Sequence, residues 1–114
     1  MFNEMNRGNR FQFTAPAEWE FIKLADFAQE YPEDEVFPVY GFYFTNGKYG
    51  EGVTLITQGW KVNLPKHLND MFHDIYNNHE AVEAINDQRC GFRIRNYEDR
   101  NGVTRYSIAL VDID

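Results

Sequence analysis

Leu64-Pro65-Lys66-His67-Leu68-Asn69-Asp70-Met71-Phe72-His73-Asp74-Ile75 is the stretch whose reading decides the fold. Leu64, Leu68, Met71, Phe72 and Ile75 fall at i, i+4, i+7, i+8 and i+11, one continuous apolar stripe at helical spacing. Asn63 stands where a cap belongs, and Pro65 where an early helical proline is tolerated. Asn77 and Asn78 interrupt the pattern. A short second helical piece follows, with Ala81, Val82 and Ile85 on one side.

Downstream the period changes from helical to alternating. Phe92 and Ile94 alternate with Arg93 and Arg95, and after Asn101-Gly102 Ile108 and Leu110 alternate with Ser107 and Ala109. This is a hairpin, and its register decides what faces outward. A three-residue loop at Arg100–Gly102, with glycine in the left-handed position, pairs Ile94 with Ile108 and Phe92 with Leu110. Arg93, Arg95, Tyr97 and Arg105 then share the opposite face. A two-residue loop sets Ile108 beside Arg95, which buries worse, so the first register is preferred.

Upstream of the helix the chain reads as strands. Val53 to Thr57 is one, and Trp60-Lys61-Val62 extends that sheet past Gly59. Asn46 to Gly52 is a loop by its glycines. Val36 to Thr45 is rich in β formers, with Pro38 placed near a strand start or on an edge and Gly41 at a bend or bulge. Residues 17–31 carry two patterns. Phe21, Leu24, Ala28 and Tyr31 recur at near-helical spacing, while Glu18-Trp19-Glu20-Phe21 alternates polar and apolar. A strand over 18–24, turning into the acidic loop 30–35, is the favoured reading. Residues 1–13 read as a flexible polar arm.

The resulting order is strand, strand, strand, helix, strand, strand, and it predicts a mainly β, five-stranded OB-type barrel over residues 14–114. In that layout a helix plugs the barrel between strands three and four. An α+β open sheet with a packed helix is the alternative.

Composition agrees with one small domain. The chain has 114 residues, 43% hydrophobic, with ten Phe, seven Tyr and two Trp. Large rings bury much area per residue, so a core is within reach at this length. No apolar run approaches a bilayer span and the first ten residues lack a secretory signal, so the cytoplasm is the expected compartment. Cys90 is the only cysteine, which excludes an internal disulfide and a multi-cysteine metal site. The net charge of −7 is uneven. Residues 17–37 hold Glu18, Glu20, Asp26, Glu30, Glu33, Asp34 and Glu35 against Lys23, a balance of −6. Residues 88–106 hold Arg89, Arg93, Arg95, Arg100 and Arg105 against Glu98 and Asp99, a balance of +3. An acidic total argues against coating duplex DNA by charge alone and leaves open a local basic face.

No catalytic constellation emerges. Gly47 to Gly52 has glycines but no Lys-Ser/Thr and no helix directly after it, so it is no phosphate loop. His67, His73 and His79 lack metal-ligand spacing and read as solvated. Cys90 has no redox partner. The carboxylates at 30–35 form a run rather than an opposed pair, and Asp70 and Asp74 lie on the helix face away from its stripe. No cofactor or metal is expected.

Binding is better supported. A barrel that takes single strands needs exposed rings for stacking and cations along the backbone path. The predicted set is Tyr43, Lys48, Tyr49, Trp60, Lys61, Arg93, Arg95, Tyr97 and Arg105. In OB folds the working surface is the strand 2–3 face with the loops joining strands 1–2 and 4–5. In this order of elements those are Tyr40–Phe44, the acidic loop 30–35 and Glu98–Gly102. The acidic loop has the wrong sign for nucleic acid.

Phe37-Pro38-Val39-Tyr40-Gly41, Lys48-Tyr49-Gly50-Glu51, Val62 to Leu68, Gly91-Phe92, Tyr106-Ser107-Ile108 and Val111-Asp112 together resemble small proteins of Gram-positive bacteria and their phages and plasmids. The resemblance covers most of residues 17–114 and includes no catalytic signature. More loosely, the strand–helix order and acidic, aromatic composition are similar to phage single-stranded-DNA-binding proteins, which can be acidic overall. The resemblance implies a replication or recombination setting and transfers no site residue. Two expectations follow: a non-catalytic single-stranded-DNA-binding domain, or an acidic protein-interaction module that mimics DNA on an unidentified protein partner through Glu33, Asp34 and Glu35.

Overall fold

Val36 to Gly47, the most β-prone stretch, runs as one bent path through two sheets. In the computed structural model, which describes residues 11–31, 34–48 and 50–113, it is divided into β2 (Val36–Pro38) and β3 (Gly41–Gly47). At the corner, adjacent amides serve different sheets: Val39 N–H donates to the Cys90 carbonyl and Tyr40 N–H to that of Ile56, both at 2.9 Å. Gly41 follows this corner. A Cβ there would lie 3.0 Å from the Phe11 Cβ, so glycine makes room for a core ring.

The remaining elements are β1 (Glu20–Lys23), α1 (Leu24–Glu30), β4 (Gly50–Thr57), β5 (Trp60–Asn63), α2 (Asn69–Tyr76), α3 (His79–Asn86), β6 (Cys90–Glu98) and β7 (Thr104–Asp112). One sheet has the order β1-β5-β4-β3, with β1 parallel to β5 and the other pairs antiparallel. The second has the order β2-β6-β7, all antiparallel. Pro38 ends an edge strand of that sheet, where its missing N–H costs no ladder bond.

Both sheets turn one face to a shared core. Phe42, Val53, Leu55 and Val62 come from the first, and Phe92, Ile94 and Ile108 from the second. The helices fill the space between. Phe27 of α1 lies 5.0 Å from Phe37 and 6.0 Å from Phe92, ring centre to ring centre. Phe72 of α2 lies 4.8 Å from Phe42. Each such buried ring contributes about 1.5–3 kcal/mol through the area it removes from water.

The structure corrects the sequence reading in five places. First, both patterns in residues 17–31 are real and occur in succession: a strand to Lys23, then a seven-residue helix in place of a turn. The strand also points the other way, with Phe21 57% exposed and Ile22 packed on the core. Second, Trp60–Asn63 extends the Val53–Thr57 sheet as expected, but as a strand of its own after a turn at Gln58-Gly59, where Gly59 has φ 86°. Third, Asn63 ends β5 and accepts a 2.8 Å bond from Thr54 Oγ1 instead of capping a helix; a 3-10 turn over Lys66–Leu68 precedes α2. Fourth, the expected arm does not extend through residue 13: Phe11 is buried, 4.7 Å from Phe42, and Phe13 packs 4.6 Å from Tyr40. Residues 1–10 lie outside the described residues. Fifth, among the described residues the strands form two sheets and no closed barrel, and their order is not the expected one: β1, α1 and β2 precede the β3–β4–β5 meander, and β5 and β7 do not pair.

The hairpin register agrees with expectation. Phe92 pairs with Leu110 and Ile94 with Ile108. Asp99 N–H bonds the Val103 carbonyl at 3.0 Å across the three-residue loop, and Gly102 has φ 77°. α3 begins at Asn78, whose side chain accepts from Ala81 N–H at 3.1 Å.

Candidate nucleic-acid interface

The outward face of the β6–β7 hairpin follows from its register. Tyr97 pairs with Arg105, Arg95 with Ser107 and Arg93 with Ala109, so the four residues expected there do share one face. Asp99 builds the loop beside them. Its carboxylate accepts from Asn101 N–H (2.9 Å), Val103 N–H (3.0 Å) and Arg105 Nε (2.9 Å). The Val103 bond foremost, then that from Arg105, holds the Asp99 carboxyl below the usual carboxylate range. Arg105 is thereby oriented with one of its five donors engaged.

Next to this face a groove of about 630 Å³ separates β7 from the end of the other sheet. Leu24, Ala25, Leu64 and Pro65 supply its apolar lining, Lys23, Asn63 and His67 one rim, and Tyr97, Thr104, Arg105 and Tyr106 the other. His67 Nε2 is 3.2 Å from Ser107 Oγ, and its ring meets Tyr97 edge-on at 6.3 Å. The contact therefore ties the turn before α2 to the hairpin. No carboxylate appears among the described lining residues.

The outer face of the first sheet continues the same surface. In the parallel β1–β5 ladder Lys23 partners Asn63 and Phe21 partners Lys61. Lys61 Nζ sits 4.9 Å from the Phe21 ring centre, a cation–π contact. Lys61 and Tyr43 line one depression with Phe42, Ile56 and the crossing segment Phe11, Phe13, Thr14 and Ala15. One strip therefore runs from Tyr43 through Lys61, Phe21 and Lys23 across the groove to Tyr97, Arg105 and Arg95.

Other predicted residues lie elsewhere. Trp60 packs against the core and donates from Nε1 to the Tyr31 hydroxyl at 3.1 Å, so it is not a free stacking ring. Lys48 is exposed at the β3–β4 turn, and Tyr49 lies outside the described residues, as does Glu33 of the acidic run. Arg93 and Arg95 share a depression with Asp34, an acid set against the arginine face. Sequence reasoning missed Phe21, Lys23 and His67. Phe21 was assigned to the buried side of its strand, and the parallel pairing that sets it beside Lys61 has no local signature. His67 was read as solvated, because a contact forty residues distant leaves no local pattern.

The described residues supply little for catalysis. His73 is engaged: it stacks on Phe44 at 4.1 Å and meets Glu51 Oε1 at 2.5 Å. Burial pushes the Cys90 thiol up to about 11, with Asp112 adding to it, so the nucleophilic thiolate is suppressed at neutral pH. Among the described residues no group of three or more His, Cys, Asp or Glu is placed to hold a metal ion, and no helix is long and apolar enough to cross a membrane. Comparison with protein-family models, with curated proteins and with solved structures gives no match.

Proposed function

We propose that this protein binds single-stranded nucleic acid, without catalysis, along the Tyr43–Lys61–Phe21–Lys23–Tyr97–Arg105–Arg95 strip. The observation that carries the reading is the alternation, along one connected surface, of accessible rings with cations. Phe21 is 57% and Tyr97 46% exposed, and each has a cation beside it. Stacking on such rings tolerates any base, and cations spaced between them follow the phosphates. A duplex offers no unstacked bases to these rings.

The topology supports the same reading. We read the bent β2–β3 path, the β3–β4–β5 meander, the helices and the β6–β7 hairpin as an OB-like course left open between β5 and β7, with β1 and α1 beside the opening. In such a barrel the binding surface is the middle strands and two flanking loops. By that analogy the surface here includes Lys61 of β5, the β3–β4 turn with Lys48 and the Asp99–Val103 loop, while Thr54 and Ile56 on the outer side of β4 are buried. The setting implied by the family resemblance is replication or recombination of phage or mobile-element DNA.

The test is fluorescence anisotropy of a labelled oligo-dT of about 30 nucleotides across a salt series. Micromolar or tighter binding that weakens with salt, and much weaker binding of duplex, is the expected result. Absence of binding at low salt rejects the proposal and moves attention to the acidic surfaces as a protein-docking module.

A further inference from the structure

We infer that the groove between β7 and the β5–α2 connection is a pocket for a single nucleotide, which takes one base of the bound strand out of the stack. The inference rests on the strand-binding reading but asks more of the site: a stacking platform needs only flat rings, and this is a concavity. Its volume, about 630 Å³, falls within the roughly 300–1,000 Å³ of small-molecule sites. Leu24 and Leu64, 1% and 8% exposed, are rigid parts of the core and give it an apolar floor.

The walls have a different chemistry. Thr104 and, on the opposite side, the amide nitrogen of Asn63, whose Oδ1 accepts from Thr54, are groups of the kind that read a base edge, and Tyr97 supplies an exposed ring. Lys23 places a positive charge on one rim and Arg105, its Nε held by Asp99 just outside the groove, on the other, with no carboxylate among the described lining residues. Such a site disfavours a neutral apolar ligand, whose binding would desolvate two cations for no return. It fits a molecule with a flat polar ring and an anionic group, a nucleoside monophosphate. The other depressions lack this combination: the one at Arg93 and Arg95 contains Asp34 and no ring, and the one at Tyr43 has Lys61 as its single described cation.

The experiment titrates the full chain with dAMP, dCMP, dGMP and dTMP separately, followed by amide chemical shifts, and in parallel with oligo-dT by anisotropy. Two variants fill the groove from exposed positions on opposite walls, Ala25→Trp and Thr104→Trp, and unchanged amide dispersion verifies their folding. Expected is saturable millimolar or tighter binding of at least one mononucleotide, with shifts at Asn63, Thr104 and Tyr106. Either variant should weaken it about tenfold, a loss of about 1.4 kcal/mol. Oligonucleotide binding should weaken less, with an unchanged salt slope. If oligo-dT binds and no mononucleotide shifts these amides, the pocket is overturned and the strand reading stands. Mononucleotide binding without oligonucleotide binding keeps the pocket and overturns the strand reading.

Discussion

The helical layer and the terminal hairpin are neighbours in the chain and opposite in charge. Between Asn69 and Asp87 the exposed charges are Asp70, Asp74, Glu80, Glu83 and Asp87, with no Lys or Arg. The hairpin exposes Arg93, Arg95, Arg100 and Arg105 against Glu98 and Asp112. Both regions insert rings and aliphatic side chains into one core, α2 through Phe72 and the hairpin through Phe92 and Ile94. The difference teaches that a net charge of −7 is a sum over surfaces with separate roles. At about 0.1 M salt the screening length is near 10 Å, so acids on the helices do not cancel attraction at the hairpin. They instead repel a polyanion from the wrong side.

The largest effect should come from the core that both regions share. Phe27→Ala removes a ring packed on Phe37 and Phe92 and should cost about 3–5 kcal/mol in urea unfolding. A loss below about 1 kcal/mol would mean that α1 does not hold the hairpin as described.

The surfaces themselves come next. Tyr97→Ala combined with Arg95→Ala should weaken oligo-dT binding by about 10- to 100-fold, because stacking on one ring is worth about 1–3 kcal/mol. Both residues are exposed, so circular dichroism should be unchanged. Asp70→Asn with Asp74→Asn should leave the affinity equal or slightly tighter. A comparable loss from the helical pair would break the contrast between the two regions.

Phe21→Ala sharpens the contrast by asking how far the binding surface extends. A several-fold loss, about 1 kcal/mol, places β1 on the path. Wild-type affinity would confine the site to the hairpin. Arg93→Ala should be milder, lowering the slope of log affinity against log salt by about 0.7 if Arg93 contacts one phosphate. An unchanged slope would mean that Asp34 already neutralises it.

The smallest effect concerns Cys90, at the junction of the two regions. Its thiol is raised from 9.0 to about 11, so the folded state favours the protonated form more than the unfolded chain does. That contribution is fully present below pH 9 and is lost as pH rises toward 11. Stability should decline across that window in wild type and less in Cys90→Ala, and alkylation at pH 8 should be slower than for an unfolded control.

What was legible in the sequence followed from local periodicity. The hairpin register, its glycine loop and the sharing of one face by Arg93, Arg95, Tyr97 and Arg105 all came from alternation plus one turn rule. The apolar stripe of α2 did as well, although Leu64 and Pro65 fall before the helix. Pairings between distant segments were not legible. The parallel β1–β5 ladder reverses the expected sidedness of Phe21 and sets it under Lys61. Trp60 looked like a surface ring until Tyr31, brought close by α1, occupied its N–H. The groove draws on β1, α1, the turn before α2 and the hairpin, so no window of sequence contains it.

The most direct test of the central claim is an amide chemical-shift map of the full chain titrated with oligo-dT at low salt. The account predicts shifts along β6–β7, the β1–β5 ladder and His67, with Asp70, Asp74, Glu80 and Glu83 unmoved. Shifts concentrated on the helical layer, with the hairpin silent, would contradict it.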